Sequence, residues 1–90
     1  MVSFAIHIQN KKGLHARAAA LFVKALERFH AEVWVSFNDQ KVSGRSIMGL
    51  MMLAAGQGSV LDIDVEDGPE VMAIQTALTA LADDKFHEGE

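Results

Sequence analysis

Apolar and polar positions alternate near the start of the chain, where Phe4, Ile6 and Ile8 are separated by polar or small residues. This period of two predicts a half-buried strand, and residues 10–13 predict a turn that ends in glycine. From Ala16 to Phe29 the period lengthens to that of an amphipathic helix. The apolar face of this helix consists of Ala19, Phe22, Val23, Leu26 and Phe29, and its polar face carries Arg17, Lys24 and Arg28.

Alternation returns between residues 31 and 37, which predicts a second strand. Asn38-Asp39 is a two-residue hairpin signal, and residues 40–42 supply a short return strand. Ser46 is a good N-cap for a brief apolar helix from Ile47 to about Leu53, and we expect the glycines of residues 56–58 to end it.

A further alternating stretch, residues 61–65, predicts the last strand. Gly68-Pro69-Glu70 then opens a final helix, with the proline expected in the first turn because its missing N–H costs little there. The core stripe of this helix is predicted to be Val71, Ile74, Leu78 and Leu81.

The predicted order is therefore β-α-β-β-α-β-α. All four strands are apolar on one face only, which favours an antiparallel sheet, and the helices must cover that face. We predict an α+β fold: an open-faced β-sandwich with a four-stranded antiparallel sheet and three helices on one face, forming a single domain over residues 1–90. Trp34 is expected on the solvated face of the sheet.

The composition limits the classes of function. The formal net charge is −4, so nucleic acid is not an expected partner, because binding it depends on many basic residues. The chain has no cysteine, which excludes a thiol nucleophile and Cys-based metal sites. The first residues lack the features of a secretory signal, and no run of about 18 apolar residues predicts membrane insertion. We expect a cytoplasmic protein.

His15 is the main candidate for chemistry, because it stands directly before the first predicted helix. Amide groups at a helix start have no partner within the helix and attract anions such as a phosphoryl group. An imidazole held in one tautomer at this position has its other nitrogen available as a nucleophile. Arg17 is placed to contact the phosphoryl oxygens. Taken alone, a histidine at a helix start is usually a solvated surface residue, so the neighbours carry the argument.

The other histidines carry less weight. His7 falls on the outward face of the first strand, His30 lies just past the first helix, and His87 belongs to a tail that we expect to fray. No two histidines have the spacing of a metal site, and no deep pocket is predicted, so neither a metal nor an organic cofactor is expected. A Ser-His-Asp arrangement is disfavoured because Asp62 and Asp64 point outward from the sheet.

Ser46 is the second candidate site. Besides capping its helix, it would gain about −1.5 to −2 charge on phosphorylation and so alter docking at the nearby surface without unfolding the protein. The helix that follows has more apolar residues than it can bury, and we expect Met52 to fill the core. The remaining apolar side chains, with small and basic residues of the first helix, form a candidate docking surface for acidic partners. Its members are Ala16, Ala20, Lys24, Ile47, Met48 and Met51.

Two motifs at a characteristic separation now point to a known family. The segment Gly13-Leu14-His15-Ala16-Arg17, about thirty residues before Ser46-Ile47-Met48-Gly49-Leu50-Met51, closely resembles the HPr family of the bacterial phosphotransferase system. The resemblance covers essentially the whole chain. It implies a cytoplasmic, open-faced β-sandwich that receives a phosphoryl group from phosphoenolpyruvate through enzyme I, on Nδ1 of its histidine, and passes it to an enzyme IIA.

Matched residue by residue, the resemblance implies that His15 is the phosphoryl acceptor and that Arg17 stabilises the group. It implies that Ser46 is the target of an HPr serine kinase/phosphorylase. Ala18 departs from many sugar-transport members, which have proline there, and is similar to the nitrogen-related branch, often called NPr. The Ser46 region is instead similar to members that are kinase substrates, so the acceptor enzyme IIA stays open.

The leading hypothesis is thus a monomeric, stoichiometric phosphoryl carrier and not a turnover enzyme. A second hypothesis is a regulatory binding module in which Ser46 phosphorylation controls docking and His15 is incidental. A third, ranked last, is a structural α+β domain without transfer chemistry.

Overall fold

The four alternating stretches form one antiparallel sheet in the computed structural model, which describes residues 1–88. Its strands are β1 (Val2–His7), β2 (Val33–Phe37), β3 (Gln40–Ser43) and β4 (Val60–Val65). Its helices are α1 (Ala16–Leu26), α2 (Ile47–Met52) and α3 (Val71–Asp83), and a short turn of 3-10 type, Lys85–His87, follows α3. The predicted order of strands and helices is confirmed.

The strands lie in the order β1-β4-β2-β3, and each neighbouring pair is antiparallel. The register places Ile63 opposite Phe4 on one side and Val35 on the other. These inward residues belong to one row because side chains on a strand alternate between the two faces. The three helices cover this face, so the predicted α+β open-faced sandwich is confirmed.

The core lies between the sheet and the helices. Its largest fully buried side chains come from both layers: Phe22, Phe86, Ile6, Ile8, Leu26, Leu50, Leu61, Ile63, Ile74, Leu78, Val35 and Val65. The opposite face of the sheet carries Trp34, which is half-buried and has the Lys41 ammonium 5.7 Å from its ring centre. The predicted placement of Trp34 on the outer face is therefore confirmed.

Two expectations about the helix ends are wrong. Helix α2 ends at Met52 with Leu53 as its C-cap, close to the predicted end, but the glycines of residues 56–58 do not end it, because the chain already reverses at Ala54, which has a φ of 55°. A non-glycine residue thus takes the left-handed conformation that we had expected of glycine. Pro69 lies outside α3, because Glu70 is the N-cap and Val71 is the first helical residue.

Two expectations about burial are also wrong. Met52 is 72% exposed and does not fill the core, because Leu50 and Leu53 already occupy the inward side of this short segment. The tail around His87, for which we expected no packing, is held to the core by the adjacent Phe86, which is fully buried. This anchor brings the end of the described chain back to the start of α1.

Candidate functional site

The site begins with a tight turn ahead of α1. The Gly13 amide donates to the Asn10 carbonyl at 3.1 Å, and the Asn10 side-chain amide donates to the Gly13 carbonyl at 2.8 Å. The next amide, of Leu14, donates to the Ala55 carbonyl at 2.8 Å, which ties the turn to the segment after α2. These hydrogen bonds fix the backbone that leads into His15.

His15 occupies the N-cap position of α1, as the sequence predicts. Its backbone is extended, with φ −80° and ψ −177°, and its carbonyl accepts the first helical hydrogen bond from the Ala19 amide at 2.8 Å. The amides of residues 16–18 precede that first bond and are therefore at the open, positive end of the helix. The His15 side chain is 27% exposed, so a partner molecule can reach the ring.

The structure adds Glu88 to the site, a residue that the sequence analysis missed. The Nε2 atom of His15 contacts the Oε2 atom of Glu88, and the other carboxylate oxygen accepts from the Asn10 amide at 3.0 Å. The hydrogen bond with His15 is the main reason why the pKa of Glu88 lies below its usual value; desolvation opposes this shift, and the Asn10 bond adds to it. The Glu88 side chain is only 9% exposed.

A surface cleft of ≈ 340 Å³ surrounds the imidazole. It is lined by Lys11, Lys12, His15, Arg17, His87 and Glu88. Lys11, Lys12 and Arg17 bring three basic side chains to the cleft, and Glu88 is the only carboxylate among its lining residues. A cleft of this charge suits an incoming phosphoryl group, which carries negative charge on its oxygens.

Of the other histidines, His87 lines the cleft, whereas His7, His30 and the strand carboxylates do not join the site. His7 and His30 are exposed and do not line the cleft. Asp64 accepts a hydrogen bond from Ser3 on the outer face of the sheet, and Asp62 is exposed on that face, as predicted. Within residues 1–88, no cluster of histidine and acidic side chains is arranged to hold a metal ion.

Ser46 is the N-cap of α2, as predicted. Its Oγ accepts from the Gly49 amide at 3.0 Å, and the residue is half-buried. A Cβ at position 49 would lie 3.1 Å from this oxygen, so glycine there leaves room for the cap. The residues that follow Ser46 in α2 form an exposed apolar surface.

That surface is made by α2 together with α1, which packs against it. Met48 is 69% exposed, and Ile47 and Met51 are each about two-fifths exposed. On α1, Ala16, Ala20 and Lys24 are also exposed. All six candidate docking residues therefore face solvent, and the exposed Met52 extends the apolar area beyond the predicted set.

Within residues 1–88, no helix has the length and apolar character needed to cross a membrane.

The fold and the site together define a small open-faced β-sandwich that presents a histidine at the opening of its first helix. A family model described as "PTS HPr component phosphorylation site" matches residues 2–84. The chain belongs to the HPr family of phosphocarrier components of the phosphotransferase system. Its role is therefore that of a phosphoryl-transfer intermediate in this system.

Individual relatives agree with this assignment. The chain is 48% identical over 90 residues to phosphocarrier protein HPr of Neisseria meningitidis (serogroup A), with 100% of both chains covered. It is 46% identical over 91 residues to phosphocarrier protein HPr of Pseudomonas aeruginosa, again with 100% of both covered. A crystal structure of HPr from Thermoanaerobacter tengcongensis superposes with a TM-score of 0.88 at 42% identity, covering 98% of each chain.

Proposed function

We propose that His15 carries the phosphoryl group, taking it from phospho-enzyme I and delivering it to an enzyme IIA in the cytoplasm. The observation that carries this proposal is the position of His15: it caps α1, its ring is accessible, and it lies in a cationic cleft with Arg17. The free amides of the first helical turn and the guanidinium favour a phosphoryl dianion at this place. The protein then acts stoichiometrically, with each chain loaded and unloaded in turn.

Phosphorylation with purified enzyme I and phosphoenolpyruvate tests this proposal. We expect a phosphoryl group that is labile to acid and stable to base, and we expect His15→Ala to abolish it. His30→Ala is the matched control, because His30 is exposed but does not line the cleft. A label that persists in His15→Ala, or no label on the wild-type protein, would contradict the proposal.

We further propose that the exposed face of α1 and α2 docks the partner proteins. Its apolar centre, Met48 with Ile47 and Met51, is flanked by Lys24. Unbranched methionine side chains adapt to differently shaped partners, and the flanking cation favours acidic partner surfaces.

Phosphoryl transfer from the loaded protein to a panel of enzyme IIA proteins, read by gel mobility, identifies the acceptor. The same panel separates sugar-transport from nitrogen-related partners. Met48→Lys should slow transfer to every acceptor; Met72→Lys, at an equally exposed methionine on α3, should not.

Ala18, the residue that resembles the nitrogen-related branch, lies inside the protein. It is fully buried in the first turn of α1. It therefore acts on the start of the helix and does not contact a partner. We infer that the choice of acceptor depends on the exposed residues of the docking surface.

A second function, regulation through Ser46, is favoured by the position of its hydroxyl beside Ile47 and Met48. Phosphorylation by a serine kinase would place about −1.5 to −2 charge at the edge of the docking surface. We expect Ser46→Asp to weaken binding to enzyme I while the melting temperature changes little. Thr76→Asp adds the same charge on the exposed side of α3 and is the control. If both variants weaken binding equally, net charge and not the position of Ser46 is responsible.

The regulatory-module hypothesis makes a separate prediction. In that case His15→Ala binds its partner normally while Ser46→Asp does not, and no phosphoryl group appears on histidine.

A further inference from the structure

The contact between Glu88 and His15 joins the last described residue to the N-cap of α1, 73 residues away in sequence. Two groups hold the carboxylate: the Asn10 amide binds Oε1 at 3.0 Å, and Oε2 contacts Nε2 of the ring. The Asn10 amide also donates to the Gly13 carbonyl at 2.8 Å, which fixes its orientation. Because a carboxylate only accepts, the proton of this contact lies on Nε2.

The backbone of the tail is strained in a way that favours this contact. Lys85, Phe86 and His87 have φ values of 52°, 51° and 64°, so three successive residues without glycine take the left-handed conformation. This conformation is unfavourable for residues other than glycine. Burial of Phe86 offsets part of this cost, and the turn it fixes points Glu88 at His15. Strain of this kind persists where surrounding contacts determine the conformation, and such places are often functional.

We propose that Glu88 is a positioning residue for phosphoryl transfer: it holds the ring proton on Nε2 and so leaves the Nδ1 lone pair as the nucleophile. The proposal deepens the proposed function and rests on it. It resembles the way in which a buried carboxylate orients an imidazole in other transfer sites.

The chemistry of the step follows from this tautomer. The Nδ1 lone pair forms the new P–N bond while the bond between phosphorus and the donor atom of phospho-enzyme I breaks, and the electron pair of that bond stays with the donor. The Nε2 proton remains in place, so the ring becomes an N-phosphoimidazolium whose positive charge faces the Glu88 carboxylate. Transfer to the acceptor reverses the step, and the ring returns to the neutral tautomer with Nε2 protonated.

Replacement of Glu88 by glutamine gives a result that a purely structural role would not predict. In Glu88→Gln the amide oxygen would still accept from Asn10, so the amide nitrogen would face Nε2 and donate to it. The ring proton would then move to Nδ1 and block the nucleophile. We therefore expect the conservative Glu88→Gln to slow phosphoryl transfer more than Glu88→Ala does. The alanine variant removes the contact with Nε2 but places no donor there.

The first test is ¹⁵N NMR of the ring nitrogens of the unphosphorylated protein at about pH 8.5, where an ordinary imidazole is neutral. We expect Nδ1 of His15 to be unprotonated in the wild type, mixed in Glu88→Ala and protonated in Glu88→Gln. The matched control is Asp84→Asn, which breaks a second contact between a carboxylate and an imidazole, that of Asp84 with His87. A wild-type pattern in Glu88→Gln would overturn the proposal.

The second test is the rate of transfer from phospho-enzyme I. We expect Glu88→Gln to be about 10- to 100-fold slower than the wild type, Glu88→Ala to be intermediate, and Asp84→Asn to be unchanged. Equal rates in all four proteins would overturn the positioning role, and so would transfer that is faster in Glu88→Ala than in the wild type. If the wild type itself is not phosphorylated, the proposed function fails instead, and the NMR test still decides whether Glu88 sets the tautomer.

Discussion

At the scale of a single residue, Gly13 allows the turn before α1 to pack closely against the backbone of Ala55 and Gly56. Its φ is 68°, in the left-handed region that glycine enters freely. A Cβ at this position would lie 2.4 Å from the Ala55 carbonyl oxygen and 2.7 Å from the Gly56 Cα. Both are backbone atoms, which cannot move aside as a flexible side chain can. The close approach in turn allows the Leu14 amide to bond to Ala55.

Gly13→Ala should therefore lower the free energy of unfolding by at least about 2 kcal/mol, from backbone strain and steric overlap together. For a chain of this size, thermal denaturation should show a fall in melting temperature of at least about 8 °C. Gly56→Ala is the control, since a Cβ there meets no atom within 4 Å. Similar melting temperatures for the two variants would show that the Gly13 turn relaxes at little cost.

Arg45 joins two elements, because its side chain reaches the C-terminal end of α1. The guanidinium donates to the carbonyls of Leu26, Phe29 and Ala31 at 2.9, 2.9 and 2.8 Å. These carbonyls lie at and beyond the last helical residue, where the regular helical hydrogen bonds end; the Leu26 carbonyl also accepts from the Phe29 amide at 3.0 Å. The residue that precedes Ser46 thus ties the end of α1 to the loop that leads into α2.

Arg45→Ala should destabilise the protein by about 1–2 kcal/mol, because it removes three hydrogen bonds from a charged donor. Arg45→Lys keeps the charge but loses the planar fork that reaches several acceptors, so it should recover less than half of this energy. Chemical denaturation measures both variants. Full recovery in Arg45→Lys would mean that charge, and not the guanidinium geometry, stabilises this junction.

Long-range contacts to acidic side chains link the parts of the whole molecule. Glu70, the N-cap residue of α3, accepts hydrogen bonds from the amides of Ala31 and His30 at 2.8 and 2.9 Å. The bond from Ala31, followed by that from His30, lowers the pKa of this carboxyl below its usual value. Glu70 therefore stabilises the folded protein above the pKa of the unfolded carboxyl, and this contribution is lost as the pH falls through the lower, folded value.

The melting temperature of Glu70→Gln should be below that of the wild type at pH 7. The difference should shrink as the pH falls below the ordinary glutamate pKa and through the lower value of the folded protein, because the wild-type carboxyl then becomes protonated as well. Thermal denaturation across this pH range, in wild type and variant, measures it. A difference that stays constant down to the lowest pH would show that the charge of Glu70 does not contribute.

Much of the fold follows from local patterns in the chain. The strands were predicted by alternation and α1 by its apolar face, because each pattern repeats within one element and needs no knowledge of the rest. The errors occur where neighbouring side chains compete for the same inward position. Met52 is exposed because Leu50 and Leu53 already fill the inward side of α2, and no local pattern shows which of these neighbours wins.

The amino-acid sequence alone determined the order of elements, the α+β sandwich and the place of His15 at the start of α1. These follow from side-chain periodicity, turn residues and helix capping, which act over a few neighbouring positions. Only the tertiary structure decided that Glu88 contacts His15, 73 residues away in sequence. Burial of Phe86 in the core brings the C-terminal segment to the start of α1. That contact depends on the shape of the assembled core, which no short stretch of the chain specifies.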